Sequence, residues 1–144
     1  MKLTPFHIAV QVRNITEAKY FYGSILGFEE GRSDTTWIDF NMFGHQFVCH
    51  LNEHLGYDGK VSLYYNKVDE HSVPVPHAGV ILEMEKWTEL AERLKINNVK
   101  FIIEPHIRFK DKPGEQATMF LLDPSGNALE FKSFNNINEQ LFEK

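Results

Sequence analysis

HIAVQVRN at residues 7–14 and HAGVILEME at residues 77–85 are variants of one phrase: a histidine, a short β-branched apolar run, then a polar stretch able to open a helix. The two histidines stand 70 residues apart in a chain of 144. Alternation in such a run gives a strand whose successive side chains take opposite faces. A repeat on this scale points to two copies of one module.

Working outward from the first phrase, Phe6 to Val12 reads as a strand. Asn14 offers a helix N-cap, with Glu17 at the capping-box spacing. Ile15, Ala18, Phe21 or Tyr22 and Ile25 recur at helical spacing, and Gly27 supplies a stop. Short β-type runs follow at 28–32, 35–40 and 46–51, giving the order β-α-β-β-β. The segment KVSLYY (60–65) is a possible strand, and the charges and prolines of NKVDEHSVPVP (66–76) predict a connecting loop.

The pattern then restarts. Residues 77–83 form a strand, and Trp87, Leu90, Ala91 and Leu94 mark one face of a helix fraying at Asn97-Asn98. A strand at 99–103 and a hairpin of 115–122 with 128–133 around DPSGN complete a second β-α-β-β-β unit. The expected class is α+β: one domain over 1–144 built from two paired βαβββ modules forming a curled mixed sheet around a central cavity. Module one spans about 4–56, a connecting segment about 57–75, module two about 76–134, and a short helical tail 135–144.

Composition narrows the functions open to such a fold. A net charge of -5 lacks the positive excess that phosphate backbones attract, so nucleic acid is not an expected partner. No apolar stretch reaches membrane-span or signal-peptide length, which makes the cytoplasm the expected location. Without such a signal, the sequon-like Asn14-Ile15-Thr16 reads as the helix cap. Cys49 is the single cysteine, so any metal must be held by histidines and carboxylates. The aromatic share, 13% with 12 Phe, suits a filled core or a pocket with aromatic walls.

Strand parity selects the chemistry. His7 shares a face with Ala9, His77 with Gly79 and Ile81, and Glu130 with Ala128 and Lys132. If the two modules pair about a pseudo-twofold axis, both histidines and Glu130 can face one cavity. Two imidazoles and a carboxylate leave coordination positions open for a substrate. Each residue alone would be read as an ordinary surface group; their related positions in the repeat join them. Arg108 and Lys110 lie in a basic loop able to close over the cavity and attract an anionic substrate, although a solvated basic loop is the preferred reading. Tyr64 or Tyr65 could donate a hydrogen bond to a substrate oxygen, the pattern fixing neither, and Glu115 and Gln116, which precede an inward-facing strand, could line the pocket. His45, His54, His71 and His106 read as surface or loop groups, and Cys49 as a buried structural thiol.

The segments FHIAVQVRNITEAKYFYGSILGFEE (6–30), PHAGVIL (76–82) and FLLDPSGNALEFKSF (120–134) resemble the vicinal oxygen chelate superfamily, which includes glyoxalase I, extradiol dioxygenases and antibiotic-resistance proteins. That resemblance implies paired βαβββ modules around a divalent metal, with His7, His77 and Glu130 as ligands. Fe2+ is favoured, with Zn2+, Ni2+ or Mn2+ as alternatives. It also implies a small-molecule substrate chelated through two oxygens and a homodimer.

Aligning VCHL (48–51) with ALEF (128–131) places His50 where glyoxalase-like members carry a second carboxylate. His50 is then a ligand, a hydrogen-bonding neighbour or a catalytic base; a slip of two residues would put Val48 there instead. The ligand set slightly favours extradiol-dioxygenase-like chemistry over a glyoxalase-like lyase or isomerase. Metal-free antibiotic binding is the non-catalytic alternative.

Overall fold

The alternation after His7 becomes strand β1 (His7–Val12) in the computed structural model, which describes residues 2–144. Ile8, Val10 and Val12 turn to the packed side, and His7, Ala9 and Gln11 to the exposed side. Asn14 caps α1 (Ile15–Ala18), its Oδ1 accepting the Glu17 N–H at 2.8 Å. The reciprocal half of the box is not made, because the Glu17 carboxylate takes Arg13 at 2.8 Å. The helix continues as a π-helical stretch, Lys19–Ile25. It stops at Gly27, whose φ of 79° suits a residue without Cβ.

Strands β2 (Glu29–Asp34), β3 (Trp37–Met42) and β4 (His45–Leu51) follow, and β1 returns parallel to β4 for the order β1-β4-β3-β2. Tyr22 packs its ring at 5.5 Å from Phe40 and 4.8 Å from Phe47, the aromatic core of this module. Cys49 is fully buried there, and desolvation pushes its thiol well above the usual range, which suits structure and not nucleophilic attack.

The expected connecting loop is instead a two-stranded hairpin, β5 (Tyr64–Val68) with β6 (His71–Val75). Asp69 and Glu70 take positive φ (45° and 71°), the backbone a two-residue hairpin needs. Pro74 is tolerated because a two-stranded ribbon is all edge, so the prolines and charges concealed the alternation.

The second module repeats the first: β7 (His77–Ala78), β8 (Ile81–Leu82), α2 (Met84–Ile96), β9 (Phe101–Arg108), β10 (Gln116–Leu122) and β11 (Ala128–Phe134). Its order is β7-β11-β10-β9, with β8 continuing along β11. The predicted helix face is buried, and Trp87 Nε1 donates to the Phe131 carbonyl at 2.8 Å to fix α2 on β11. Strand β9 runs five residues past its expected end at Ile103. Pro105, which suggested a stop, lies on an edge strand beside a register shift, where a missing N–H costs no ladder bond. The tail forms α3 (Ile137–Gln140).

This is an α+β fold of mixed sheets not closed into a barrel. Contacts divide the chain into two compact units: residues up to Tyr64 together with Asp123–Asn127, and Tyr65–Leu122 with Ala128–Lys144. The DPSGN turn thus counts with the first unit. There Asp123 Oδ2 accepts from the Tyr22 hydroxyl at 2.7 Å and from Asn127 Nδ2 at 2.8 Å, while Oδ1 accepts the N–H groups of Ser125 and Asn127. Burial holds Asp123 above the ordinary carboxylate range although these hydrogen bonds oppose it, and burial likewise raises Tyr22 well above the usual phenol range. No helix among the described residues is long and apolar enough to cross a membrane.

Candidate metal centre and cavity

Strand parity and register bring His77 and Glu130 together in the second unit. His77 pairs with Ala128, so the side chain two residues on along β11, Glu130, rises beside it. Gly79 makes this approach possible: a Cβ at that position would stand 1.5 Å from the Glu130 carbonyl oxygen. His77 Nε2 lies 3.0 Å from Glu130 Oε2, with the side chains 30% and 14% exposed.

Both groups are anchored from behind. His77 Nδ1 is 2.7 Å from the Pro74 carbonyl, and Thr118 Oγ1 donates to Glu130 Oε1 at 2.8 Å. A carbonyl only accepts, so Nδ1 carries a proton. If Nε2 carries none, its lone pair faces a carboxylate oxygen, and the contact is favourable only with a cation between them; otherwise a second proton holds the pair. Imidazole nitrogen and carboxylate oxygen, each oriented by an outer partner, fit a divalent metal. The Phe120 ring meets His77 edge-on at 5.1 Å and walls the pair on its apolar side.

His7 shows the same preparation in the first unit. Its Nδ1 lies 2.7 Å from Gln46 Oε1, and Gln46 Nε2 donates to Asp39 Oδ2 at 3.0 Å. The second contact fixes the amide orientation, so His7 Nδ1 is the donor, and in the neutral imidazole Nε2 would present its electron pair. The ladder pairs His7 with Gln46 as it pairs His77 with Ala128. Val48 therefore corresponds to Glu130, and His50 lies two residues further on, opposite Gln11. The alignment that put His50 at the ligand position is off by one step of the pleat. Among the described residues, no group of three or more His, Cys, Asp or Glu side chains converges closely enough to hold a metal.

A cavity of about 470 Å³ opens against Glu130 within the second unit. Three strands build its floor in rungs: Ile103, Phe120 and Glu130, then His106, Thr118 and Lys132, then Arg108 and Gln116. Arg108 is among its lining residues. Tyr65, Lys110 and Glu115 do not; Gln116 takes the wall, and the Glu115 carboxylate accepts the Asp111 N–H at 2.7 Å.

His71 and His106, expected as surface or loop groups, stack at 5.6 Å on the cavity wall. Sequence reasoning missed them because β9 was read as ending at Ile103 and the hairpin as a loop. Lys132 was legible, sharing the face of Glu130 by parity, and Thr118 was not, since its role depends on the β10–β11 register.

Comparison with known proteins agrees with this fold. The family model described as Glyoxalase/Bleomycin resistance protein/Dioxygenase superfamily matches residues 4–131. A glyoxalase/bleomycin resistance protein/dioxygenase structure from Alicyclobacillus acidocaldarius is 32% identical with a TM-score of 0.72, covering 94% of each chain. The fosfomycin resistance protein FosX of Listeria monocytogenes is 20% identical with a TM-score of 0.62, over 92% of this chain and 94% of that one. A glyoxalase/dioxygenase from Nostoc punctiforme is 17% identical with a TM-score of 0.66, over 92% of each. Among curated proteins none matches the sequence significantly.

Proposed function

Since the chain belongs to the glyoxalase/bleomycin resistance protein/dioxygenase superfamily, we propose that it is a metal-dependent enzyme acting on a small substrate held through two neighbouring oxygens. The observation that carries this reading is the His77–Glu130 contact of 3.0 Å, with Pro74 and Thr118 fixing the outer atom of each side chain. His77, Glu130 and His7 would hold the ion. When bound, it supplies Lewis acidity that stabilises negative charge developing on substrate oxygens. Residues of the chain do the rest: Thr118 and Pro74 orient the donors, and Phe120 with Ile103 excludes water from the inner end of the cavity.

His7 belongs to the first module. We propose that a second copy in a homodimer delivers it. Phe6, beside it, is 63% exposed and suits burial in such an interface.

Two histidines and one carboxylate favour dioxygenase-like chemistry on Fe2+. Glyoxalase-like isomerisation in this superfamily uses a second metal-bound carboxylate, and Val48 occupies the corresponding position here. A purely sequestering protein needs neither the paired donors nor their anchors. This reading gives no role to His50, which lies two residues beyond Val48 on β4 and does not line the cavity of the second unit.

Elemental analysis of protein purified without added metal tests the reading. One divalent ion per site is expected, with background levels in His7→Ala and in His77→Ala. Mixing those two metal-free variants should restore metal to part of the dimers; equal metal in wild type and both variants would end the proposal, and mixing without recovery would place His7 and His77 of one chain in the same site. Oxygen uptake with catechols by the Fe2+ form, set against turnover of a hemithioacetal by the Ni2+ or Zn2+ form, separates the two chemistries.

A further inference from the structure

The inner end of the cavity belongs to the site already described; its outer end carries different chemistry. Lys132 stands two residues beyond Glu130 on the same face of β11, about 7 Å further along the strand. Its ammonium lies over the Phe134 ring at 5.5 Å, and among the described residues no carboxylate pairs with it. On the next rung, Arg108 lies over the Phe109 ring at 5.3 Å and makes one ion-pair contact, 3.3 Å to Asp69, with the two side chains 43% and 68% exposed. An ion pair so open to solvent contributes little, and most of the guanidinium fork remains available. Glu130, the cavity's other carboxylate, is already engaged by His77 and Thr118. Beside Glu130, on its own rung, Ile103 and Phe120 make the floor apolar, and Val73 of the hairpin adds a further apolar group to the lining.

We infer that this cavity recognises a small organic anion: a carboxylate, phosphate or phosphonate bound by Lys132 and Arg108, on a compact apolar body whose further oxygens reach toward His77 and Glu130. This assignment rests on the reading of the inner end as the reactive end. Charge-assisted bonds from an ammonium and a planar fork suit an oxyanion and give a neutral isostere nothing equivalent. The cations thus select the substrate class and orient it along the strands.

The test uses chelator-treated, metal-free protein titrated with 3-phenylpropionate and with its neutral counterpart 3-phenylpropan-1-ol, followed by chemical shifts of backbone amides. The carboxylate is expected to bind about tenfold more tightly than the alcohol, with shifts centred on β9, β10 and β11. Lys132→Met and Arg108→Met should each remove most of that preference, and Lys132→Arg should keep it. Equal affinity for the two probes, no binding by either, or an unchanged preference in both methionine variants overturns the inference. Because no metal is present, loss of the preference with stoichiometric metal elsewhere intact sinks only this proposal, and a preserved preference in a chain that never binds metal sinks only the preceding one.

Discussion

The two modules share one topology and differ at one rung. In each, the opening strand returns parallel to the closing strand, and a histidine pairs with the same ladder position of that strand. Two residues on, the first module has Val48 and the second has Glu130. The second residue after each histidine differs to match: Ala9 lies beside Val48, whereas Gly79 lets the strand come against the backbone of Glu130. The lesson is that a duplicated scaffold fixes directions and spacings, while the chemistry depends on which copy keeps the charged side chain and the close approach that positions it.

The sharpest way to break this comparison is to exchange the two small residues. Gly79→Ala puts a methyl 1.5 Å from the Glu130 carbonyl; the strand must move, and a loss of about 3 kcal/mol in denaturant unfolding is expected, with weaker metal retention. Ala9→Gly should cost only about 1 kcal/mol, the ordinary price of glycine in a strand. Equal effects would mean that the close approach at Gly79 is unimportant.

The turns also differ. The β3–β4 connection is Phe43-Gly44, whereas the β10–β11 connection is the five-residue DPSGN with its buried carboxylate. Asp123 accepts four hydrogen bonds through two oxygens. Asparagine would aim its amide hydrogens at two donors, so Asp123→Asn is expected to cost about 2 kcal/mol. The pH dependence carries a sign. Burial raises Asp123 above its unfolded value, so the folded chain keeps a proton that the unfolded chain has released. Stability from this group is present below the ordinary aspartate value of about 3.9 and is lost as pH rises through the raised one. Unfolding curves across the acid range should show that slope in the wild type and lose it in Asp123→Asn.

The smallest effects sharpen the proposed site. Thr118→Val and Gln46→Leu each release one outer partner, from Glu130 and from His7. Each should weaken metal affinity about tenfold while changing stability by less than about 1.5 kcal/mol. An effect confined to Thr118→Val would remove His7 from the ligand set and leave the second module alone with the metal.

Much of this was written in the chain. Parity and the repeat of the His-led phrase were enough to place His7 and His77 on opening strands and Glu130 on a closing one, because a strand's two-residue period is a local property of the backbone. The DPSGN turn and the helix face of Trp87, Leu90, Ala91 and Leu94 were legible for the same reason. Tertiary structure decided what depends on partners distant in sequence: which residue of β4 corresponds to Glu130, that Pro105 sits harmlessly at an edge, that a charged Pro-containing segment closes into a hairpin, and that His71, His106, Thr118 and Lys132 share a cavity wall. Register between strands is set by packing over the whole sheet, and a one-residue slip reverses every face. The alternating pattern therefore determined which side chains could meet, and only the folded ladder decided which of them do.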